Sequence, residues 1–154
     1  MAKIKVVETI PSHIFYIKDH LREIDIAECW DTANHTPEDA LEAGYFKSEL
    51  CFTILRYELP VAIFGLVKMN NKLGVPWMLA TNELKSIKKY FMEYSADYID
   101  LMLSRCDFLV NYISMYNTDS IKWLEWCGFQ LDTPELFGEE QKLFRRFYKG
   151  AYNV

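Results

Sequence analysis

The chain has 154 residues, of which 51% are hydrophobic and 16% aromatic, and its formal net charge at pH 7 is −5. This length and apolar content exclude a disordered chain and predict one domain, residues 1–154, with a substantial core. The acidic balance disfavours non-specific binding to nucleic acid or to an anionic membrane. No apolar run is long enough to span a bilayer and the N terminus leads into no signal-peptide core, so we expect a cytoplasmic protein.

The four cysteines predict reduced thiols rather than a metal site. They are widely spaced, show no Cys-x-x-Cys motif and have no matching pair among the three histidines. A zinc site needs ligands at a regular spacing that is missing here, so no metal is expected. We expect these thiols to pack as small apolar groups: Cys29, Cys51, Cys106 and Cys127.

The N-terminal third predicts a strand followed by two helices. Residues 4–10 are rich in β-branched side chains, and a proline ends this strand and opens a helix. Apolar residues at helical spacing extend that helix to about residue 30. A second helix is predicted over 36–44, because Thr36 can cap its first turn and Gly44 can end it.

Three strands of an antiparallel meander are predicted next, over residues 49–57, 61–67 and 75–80. Gly65 indicates a bulge or a place where another group approaches closely. Pro76 cannot donate to a strand ladder, so we expect it at the start of the third strand or beside an unpaired edge.

A long helix is predicted over 84–104, because apolar and aromatic residues recur there at intervals of three and four. It leads directly into a buried strand over 108–114. The strand over 75–80, this helix and the strand over 108–114 form a candidate βαβ crossover with parallel strands. Three elements complete the chain: a short strand after Phe129, an acidic loop over 135–140 and a final strand over 142–149.

Residues 117–129 combine a helix cap, an apolar helix face and a glycine that can end the helix. The spacing of Asn117, Ser120, Leu124, Gly128 and Phe129 resembles the Asn-x-x-Ala-x-x-x-Tyr-x-x-x-Gly-Phe signature of the GNAT acetyltransferase superfamily. The predicted order of elements also resembles that superfamily over nearly the whole chain. This resemblance implies an α/β (α+β) fold, a single GNAT-like domain with a mixed central sheet of about seven strands flanked by about four helices.

Two devices of the active members are missing. Their loop after the third meander strand carries Arg/Gln-x-x-Gly-x-Gly/Ala, whose amides hold the pyrophosphate of acetyl-CoA. The corresponding residues 80–86 contain no glycine, and Glu83 places a negative charge where the anion would sit. The general-acid tyrosine of many members corresponds to Leu124, which has no proton to give, so no catalytic residue is predicted. Asp31 and Glu58, like Glu83, are weak candidates for a general base.

A further resemblance covers about residues 60–130. It rests on the runs Pro-Trp-Met-Leu-Ala-Thr-Asn-Glu-Leu, Phe-Met-Glu-Tyr and Val-Asn-Tyr-Ile-Ser-Met-Tyr-Asn-Thr-Asp-Ser-Ile-Lys-Trp-Leu. These are similar to the small morphogenesis or internal virion proteins of short-tailed lytic phages. Those proteins are acetyltransferase-like in pattern, also lack the glycine loop and are associated with particle assembly.

The preferred hypothesis from the sequence is a phage-encoded acetyltransferase-like domain that has lost acetyl-CoA chemistry and binds no cofactor. It would act in virion morphogenesis or protein interaction, with a phage structural protein or a host protein as partner and no nucleic acid or membrane. We would find it in the host cytoplasm or in the virion. Four aromatic residues are candidate contacts, although core packing is the expected role of each: Tyr112, Tyr116, Trp123 and Trp126.

The alternative is an active acyl-CoA-dependent N-acyltransferase that modifies an amine of a host or phage target. Parted strands at 75–80 and 108–114, with an open groove that leads to unblocked amides at the helix start, would favour this enzyme. A groove filled by Trp77, Met78 or Tyr112 would count against it. A third hypothesis is a small anti-host interaction protein that uses its acidity to bind a basic partner or to mimic a nucleic acid. The cofactor-binding residues of the enzyme would be Ala80, Thr81, Asn82, Lys85, Ser86 and Asn117.

Overall fold

An eight-stranded mixed β-sheet forms the centre of the computed structural model, which describes residues 3–150. The strands are β1 Ile4–Glu8, β2 Leu50–Arg56, β3 Leu59–Lys68, β4 Leu73–Ala80, β5 Phe108–Ser114, β6 Gln130–Leu131, β7 Glu135–Phe137 and β8 Lys142–Gly150. They lie in the order β1-β2-β3-β4-β5-β8-β6, and β7 pairs with β8. β4 and β5 are parallel, and the other pairs are antiparallel.

Helices cover both faces of this sheet. They are α1 Pro11–Ile17, α2 Glu23–Ala33, α3 Pro37–Lys47, α4 Lys88–Leu103 and α5 Thr118–Trp126, and a 3₁₀ helix over Asn82–Ile87 leads into α4. One apolar core, which includes Ile99 and Leu124, packs α4 and α5 against the sheet. A second core, which includes Leu41 and Ile63, packs α1 and α3 against the opposite face.

The predicted α/β fold is confirmed, with one more strand and one more helix than expected among the described residues. The additional strand is β7, which pairs with β8 over residues predicted as part of an acidic loop. The additional helix arises because the first predicted helix is in fact two, α1 and α2.

The chain breaks between α1 and α2 because it joins the edge of the meander there. Leu21 forms an isolated β-bridge with Thr81. The Arg22 backbone N–H donates to the Ala80 carbonyl oxygen at 2.9 Å. These bonds use backbone groups that a continuous helix would need for its own ladder. They also attach the start of α2 to the end of β4, which positions the site described below.

The second predicted helix does not end at Gly44, because α3 continues to Lys47. The Trp77 indole packs against Gly44, where a Cβ would lie 2.6 Å from a ring carbon. A Cβ on Gly65 would lie 2.7 Å from the Leu50 carbonyl oxygen and 2.9 Å from Trp77 Nε1. The close approach predicted at Gly65 is therefore confirmed, and the two glycines together make room for the indole between α3 and the sheet.

We expect Gly65→Ala to lower the free energy of unfolding by about 1–3 kcal/mol, because the added methyl meets a carbonyl oxygen that moves only with β2. Urea denaturation followed by circular dichroism measures this change. Leu59→Ala is the matched control, since Leu59 lies on the same strand but is 55% exposed. It should change stability by less than about 0.5 kcal/mol, the usual range for surface positions. Equal losses of stability in the two variants would rule out the contact with the Leu50 carbonyl oxygen as the cause.

Candidate active site

Strands β4 and β5 part soon after they begin. Their ladder, within residues 3–150, consists of two parallel residue pairs and ends at Gly74. The Asn111 side chain reaches across the gap that follows, and its Nδ2–H donates to the Pro76 carbonyl oxygen at 2.7 Å. Pro76 therefore lies beside an unpaired edge, as its missing N–H predicted.

A cavity of about 380 Å³ opens at this gap and is lined from both faces of the sheet. Trp77 and Tyr112 line the cavity without filling it, and Tyr112 stacks on Phe137 with 3.9 Å between ring centroids. The parted strands and the open cavity meet one part of the condition that favours an enzyme. The other part, unblocked amides at the helix start, is not met at Ala80, Thr81 and Glu83, whose N–H groups are engaged within the protein. Its lining from α2 includes Asp25, Glu28, Cys29 and Thr32, and its lining from α4 and α5 includes Phe91, Tyr94, Ser120, Trp123 and Leu124.

Asp25 fixes α2 to the end of β4. Its side chain is 2% exposed and accepts two hydrogen bonds from the Arg22 guanidinium, at 2.8 and 2.9 Å. It also accepts the Ala80 backbone N–H at 2.9 Å. A buried carboxylate is tolerated when it is paired and hydrogen-bonded in this way. Asp25 is therefore fully engaged in structure, and it places the next turn of α2 over the cavity.

Glu28 lies on that next turn, three residues beyond Asp25. The Asn117 Nδ2–H donates to its Oε1 at 2.9 Å. Burial raises the pKa of the Glu28 carboxyl from its ordinary 4.5 to about 7, and the negative charge of Asp25 acts in the same direction. The hydrogen bonds from Asn117 and the Ser114 backbone, together with the charge of Arg22, oppose this rise in pKa.

A carboxyl with a pKa near 7 in a cavity is suited to accept a proton at neutral pH. Glu28 is therefore the candidate general base. The sequence alone did not predict this role, because Glu28 is one of several polar positions on an amphipathic helix. The neighbouring thiol is no alternative nucleophile, because burial raises the pKa of Cys29 to about 12 and leaves it protonated.

The weak base candidates named from the sequence lie elsewhere. Glu58 is paired with Lys5 at 2.8 Å in the turn between β2 and β3. Glu83 is paired with Arg56 at 3.2 Å beside the 3₁₀ helix. The Asp31 carbonyl accepts the Glu140 backbone N–H at 3.1 Å, and Asp31 is not among the residues that line the cavity.

Several of the amides predicted to hold a pyrophosphate are already used. The Ala80 N–H donates to Asp25, and the Thr81 N–H donates to the Val61 carbonyl oxygen at 2.8 Å. The Glu83 N–H donates to the Thr81 hydroxyl at 3.2 Å, which caps the 3₁₀ helix. The geometry at the start of the 3₁₀ helix is thus that of a capped helix, in place of an open loop of free amides.

The other predicted cofactor residues divide into exposed and engaged groups. Asn82 and Lys85 are exposed on the 3₁₀ helix. The Ser86 hydroxyl accepts from Arg56 at 2.8 Å and donates to the Glu83 carbonyl oxygen at 2.6 Å. Asn117 does line the cavity, where it holds Glu28 and also caps α5 by accepting the Ser120 N–H at 3.4 Å. Their assignment to a cofactor stays a prediction.

The position of the family tyrosine is apolar and closed. Leu124 is 3% exposed within the core under α5. Tyr116 and Tyr112 are the tyrosines that most closely precede Leu124 in the sequence. Tyr112 lines the cavity, whereas Tyr116 is 69% exposed and does not line the cavity. No side chain at the family position can therefore protonate a leaving group.

Comparisons with known proteins give a clear answer for the fold. No protein-family model matches the chain, and no curated protein matches it. Among solved structures, the spermidine N-acetyltransferase of Vibrio cholerae with CoA and spermine is 13% identical, with a TM-score of 0.62 over 96% of this chain and 95% of that one. A Bacillus subtilis acetyltransferase with CoA is 13% identical, with a TM-score of 0.65 over 97% and 99%. Ard1 from Thermoplasma volcanium is 13% identical, with a TM-score of 0.66 over 96% and 97%.

The chain has the GNAT acetyltransferase fold. This agreement confirms the fold implied by the signature around Asn117 and Gly128, and the sequence identities show the fold alone. The expectation that this protein binds no cofactor is wrong, because two of these structural neighbours were solved with CoA.

Two further findings concern ions and membranes. Among residues 3–150 there is no group of three His, Cys, Asp or Glu side chains arranged to hold a metal ion. Over the same residues, no helix has both the length and the apolar character required to cross a bilayer.

The raised pKa of Glu28 gives a stability prediction with a definite sign. The folded state holds the Glu28 proton up to about pH 7, whereas the unfolded chain releases it near pH 4.5. The stability that this group contributes is therefore fully present below about pH 4.5 and is lost as the pH rises through 7. We expect Glu28→Gln to avoid that loss and to exceed the parent in stability at pH 8 by on the order of 3 kcal/mol.

Urea denaturation of both proteins at pH 5 and pH 8 measures the difference. Glu23→Gln is the matched control, since Glu23 is exposed on the same helix, and it should leave the pH dependence unchanged. A Glu28→Gln protein that is less stable than the parent at pH 8 would contradict a protonated, desolvated carboxyl.

Proposed function

We propose that this protein is an acyl-CoA-dependent N-acyltransferase in which Glu28 is the general base. The observation that carries the proposal is the position of the Glu28 carboxyl, with its pKa near 7, at the gap between β4 and β5. The preferred hypothesis from the sequence, a domain without acyl-CoA chemistry, is replaced by its alternative.

The parted edge of β4 suits the amide-bearing arm of CoA. The Pro76 carbonyl and the Ala80 N–H both point to this edge, as their bonds to Asn111 and Asp25 require. Backbone direction alternates along a strand, so the Met78 N–H and C=O face the same gap. A chain that carries amides can pair with such an edge as another strand would. CoA, when bound, would supply the activated thioester.

The phosphate groups of CoA would be held by side chains instead of glycine amides. Lys85, Lys88 and Lys89 are exposed around the junction of the 3₁₀ helix and α4. Lysine binds phosphate as a mobile point charge and needs no special backbone conformation. Asn82 is also exposed beside these lysines in the sequence, and it is one of the residues predicted to bind the cofactor. These four residues form the proposed phosphate site.

Glu28 would act on the acceptor amine. An amine with an ordinary pKa near 10 arrives protonated and is not nucleophilic until one proton is removed. Glu28 takes that proton, and the amine nitrogen forms a bond to the acyl carbon. The bond between that carbon and sulfur breaks, its electron pair leaves with the CoA thiolate, and the second proton on nitrogen passes to that thiolate as the neutral amide forms. Asn117 orients the carboxyl through its 2.9 Å hydrogen bond to Oε1, and Glu28 lines the cavity.

The acceptor is proposed to be a small cationic amine. Glu139 and Glu140 lie beside the C-terminal end of α2, where their N–H groups donate to the Thr32 and Asp31 carbonyl oxygens at 3.1 Å each. Glu28 lines the cavity, and the two carboxylates lie outside its lining but beside Thr32, which belongs to it. Negative charge in and near this wall favours a cation. One structural neighbour, a spermidine N-acetyltransferase, was solved with the polyamine spermine.

A role in virion assembly is the second candidate, and it is drawn from the resemblance to phage proteins. Two aromatic side chains favour a protein contact, since Tyr116 is 69% and Trp126 is 66% exposed. They differ from Trp123, which packs against Phe91 with 4.7 Å between ring centroids. A phage structural or host protein as partner stays a prediction, as does the location in the cytoplasm or virion.

We expect Glu28→Gln to lower kcat/KM for acetyl transfer to a polyamine by about 10²- to 10⁴-fold, because the amine keeps its proton. Release of free thiol from acetyl-CoA, with spermidine as acceptor, measures the rate. The parent rate should rise with pH through about 7, where Glu28 ionises. The dissociation constant for CoA, measured by calorimetry, should be unchanged, since Glu28 acts on the acceptor.

Glu23→Gln on the exposed side of α2 is the control and should keep the parent rate. Full activity of Glu28→Gln would remove Glu28 as the base. Absence of CoA binding by the parent protein at millimolar concentration would overturn the proposed function as a whole.

The lysines give a separate prediction for the phosphate site. We expect Lys85→Ala and Lys88→Ala each to raise the dissociation constant of CoA by about two- to fivefold, as for exposed charge pairs of up to 1 kcal/mol. The effect should shrink at high salt, because exposed charges are screened. Lys122→Ala, an exposed lysine on α5, is the control. Equal effects of all three substitutions would indicate non-specific attraction in place of a phosphate site.

A further inference from the structure

The cavity extends well beyond the gap at which Glu28 lies. On the face covered by α4, its walls continue under that helix and across the sheet towards β1. We call this part the α4 arm. It is lined by Val6 of β1, Ile54 of β2, Phe64 of β3, and Tyr98, Ile99 and Met102 of α4.

The α4 arm is longer than the smallest acyl groups. β1 lies three strand positions from β4 in the sheet. At about 4.8 Å between neighbouring strands, the arm reaches about 14 Å from the parted edge. Its far wall is Val6, which pairs with Ile54 across the β1–β2 ladder and lies on the same face of the sheet. An acetyl group at the gap would leave this length empty.

The walls of the α4 arm are apolar. Ile54 is 3%, Met102 is 5% and Ile99 is 6% exposed, and the Tyr98 ring packs against Phe64 with 5.2 Å between centroids. The charged groups that line the cavity, by contrast, belong to α2, the residue before it and α3: Arg22, Asp25, Glu28 and Lys47. An apolar cavity of this kind does not hold ordered water and accepts apolar ligands instead.

The Ser95 hydroxyl is engaged within the protein. Ser95, on the α4 side of the cavity, accepts the Trp123 indole N–H at 3.2 Å and lies 3.4 Å from Cys127 Sγ. It also donates to the Met92 carbonyl oxygen at 3.3 Å. A ligand in the arm would therefore be recognised by shape and apolar contact, without hydrogen bonds from Ser95.

We propose that the α4 arm binds the hydrocarbon chain of the acyl donor, and that the preferred donor is a medium-chain acyl-CoA in place of acetyl-CoA. This inference rests on the proposed function, because the arm is continuous with the cavity at Glu28. The whole cavity measures about 380 Å³, which lies in the usual range for pockets that enclose a ligand. Protein interiors keep few voids larger than a water molecule, so a space of this size favours an occupant.

Calorimetry with a series of donors tests the proposal: CoA, acetyl-, butyryl-, octanoyl-, decanoyl- and palmitoyl-CoA. Each buried methylene contributes up to about 0.8 kcal/mol, or roughly fourfold in affinity. We expect the dissociation constant to fall steadily from acetyl to octanoyl or decanoyl and then to stop falling, once the arm is full. The same order is expected in kcat/KM for acyl transfer.

The outcomes separate this inference from the proposed function. Binding of acetyl-CoA with equal or weaker binding of the longer donors would overturn the α4 arm as an acyl site and leave the acyltransferase standing. Absence of binding by every CoA compound would overturn both. A gain that continues undiminished to palmitoyl-CoA would also contradict an arm closed by Val6.

Val6→Phe tests the far wall directly. The larger ring would shorten the arm, so the preferred donor should shift from decanoyl towards butyryl, while the dissociation constants of CoA and acetyl-CoA stay as in the parent. Val7→Phe is the matched control, because Val7 pairs with Thr53 and lies on the opposite face of β1. It should leave the chain-length preference unchanged, and an equal shift in both variants would contradict the assignment.

A measurement on the parent protein covers the case in which Val6→Phe does not fold. Decanoic acid should raise the unfolding midpoint and should compete with decanoyl-CoA, since both chains need the same arm. Binding of decanoyl-CoA that decanoic acid does not weaken would place the chain outside the arm and overturn the proposal.

Discussion

The parting of β4 and β5 after Gly74 is the constraint on which the rest of the site depends. An open edge inside a sheet leaves backbone donors and acceptors unpaired, and each such group costs about 1–3 kcal/mol when it is buried. Asn111 satisfies the Pro76 carbonyl, and Asp25 satisfies the Ala80 N–H. The fold thus keeps the gap open by providing side-chain partners at its two ends, and it leaves the Met78 groups between them for a ligand.

The break between α1 and α2 serves the same gap. Leu21 and Arg22 bond to the backbone of Thr81 and Ala80, so α2 begins at the end of β4. Helical spacing then carries Glu28 into the cavity one turn after Asp25. Because a desolvated carboxyl resists ionisation, the protein loses stability as the pH rises through about 7. Residues suited to a function often lower the stability of the fold in this way.

Local signals in the sequence predicted most of the fold. The strand over 108–114 is confirmed residue for residue, and the cap at Asn117 and the left-handed Gly128 are confirmed as helix boundaries. These succeeded because each depends on neighbours within a few residues. Gly44 failed as a helix end because its role is to contact Trp77, which lies 33 positions later in the sequence.

The site was much less predictable than the fold. Glu28 owes its raised pKa to desolvation by burial, and the hydrogen bonds that oppose this rise come from Asn117 and Ser114, which are distant in sequence. A helix pattern alone shows it as polar and says nothing of what covers it. The α4 arm arises from packing between α4 and three strands, so no single run of residues predicts it. Motif comparison found only the absences, the glycine loop and the tyrosine at Leu124.

The missing glycine loop and the missing tyrosine argue against catalysis less strongly than the candidate base Glu28 argues for it. A thiol leaving group has a pKa near 8.5, so a thiolate departs with little help from an acid at neutral pH. An amine acceptor has a pKa near 10 and must lose a proton before it can attack. In the proposed reaction, Leu124 would therefore remove the proton transfer that is needed least, whereas Glu28 would supply the one that is needed most. Lysines in place of glycine amides would position the phosphates of CoA less precisely. Because the phosphates are far from the reacting atoms, this would affect the binding of CoA more than the chemical step.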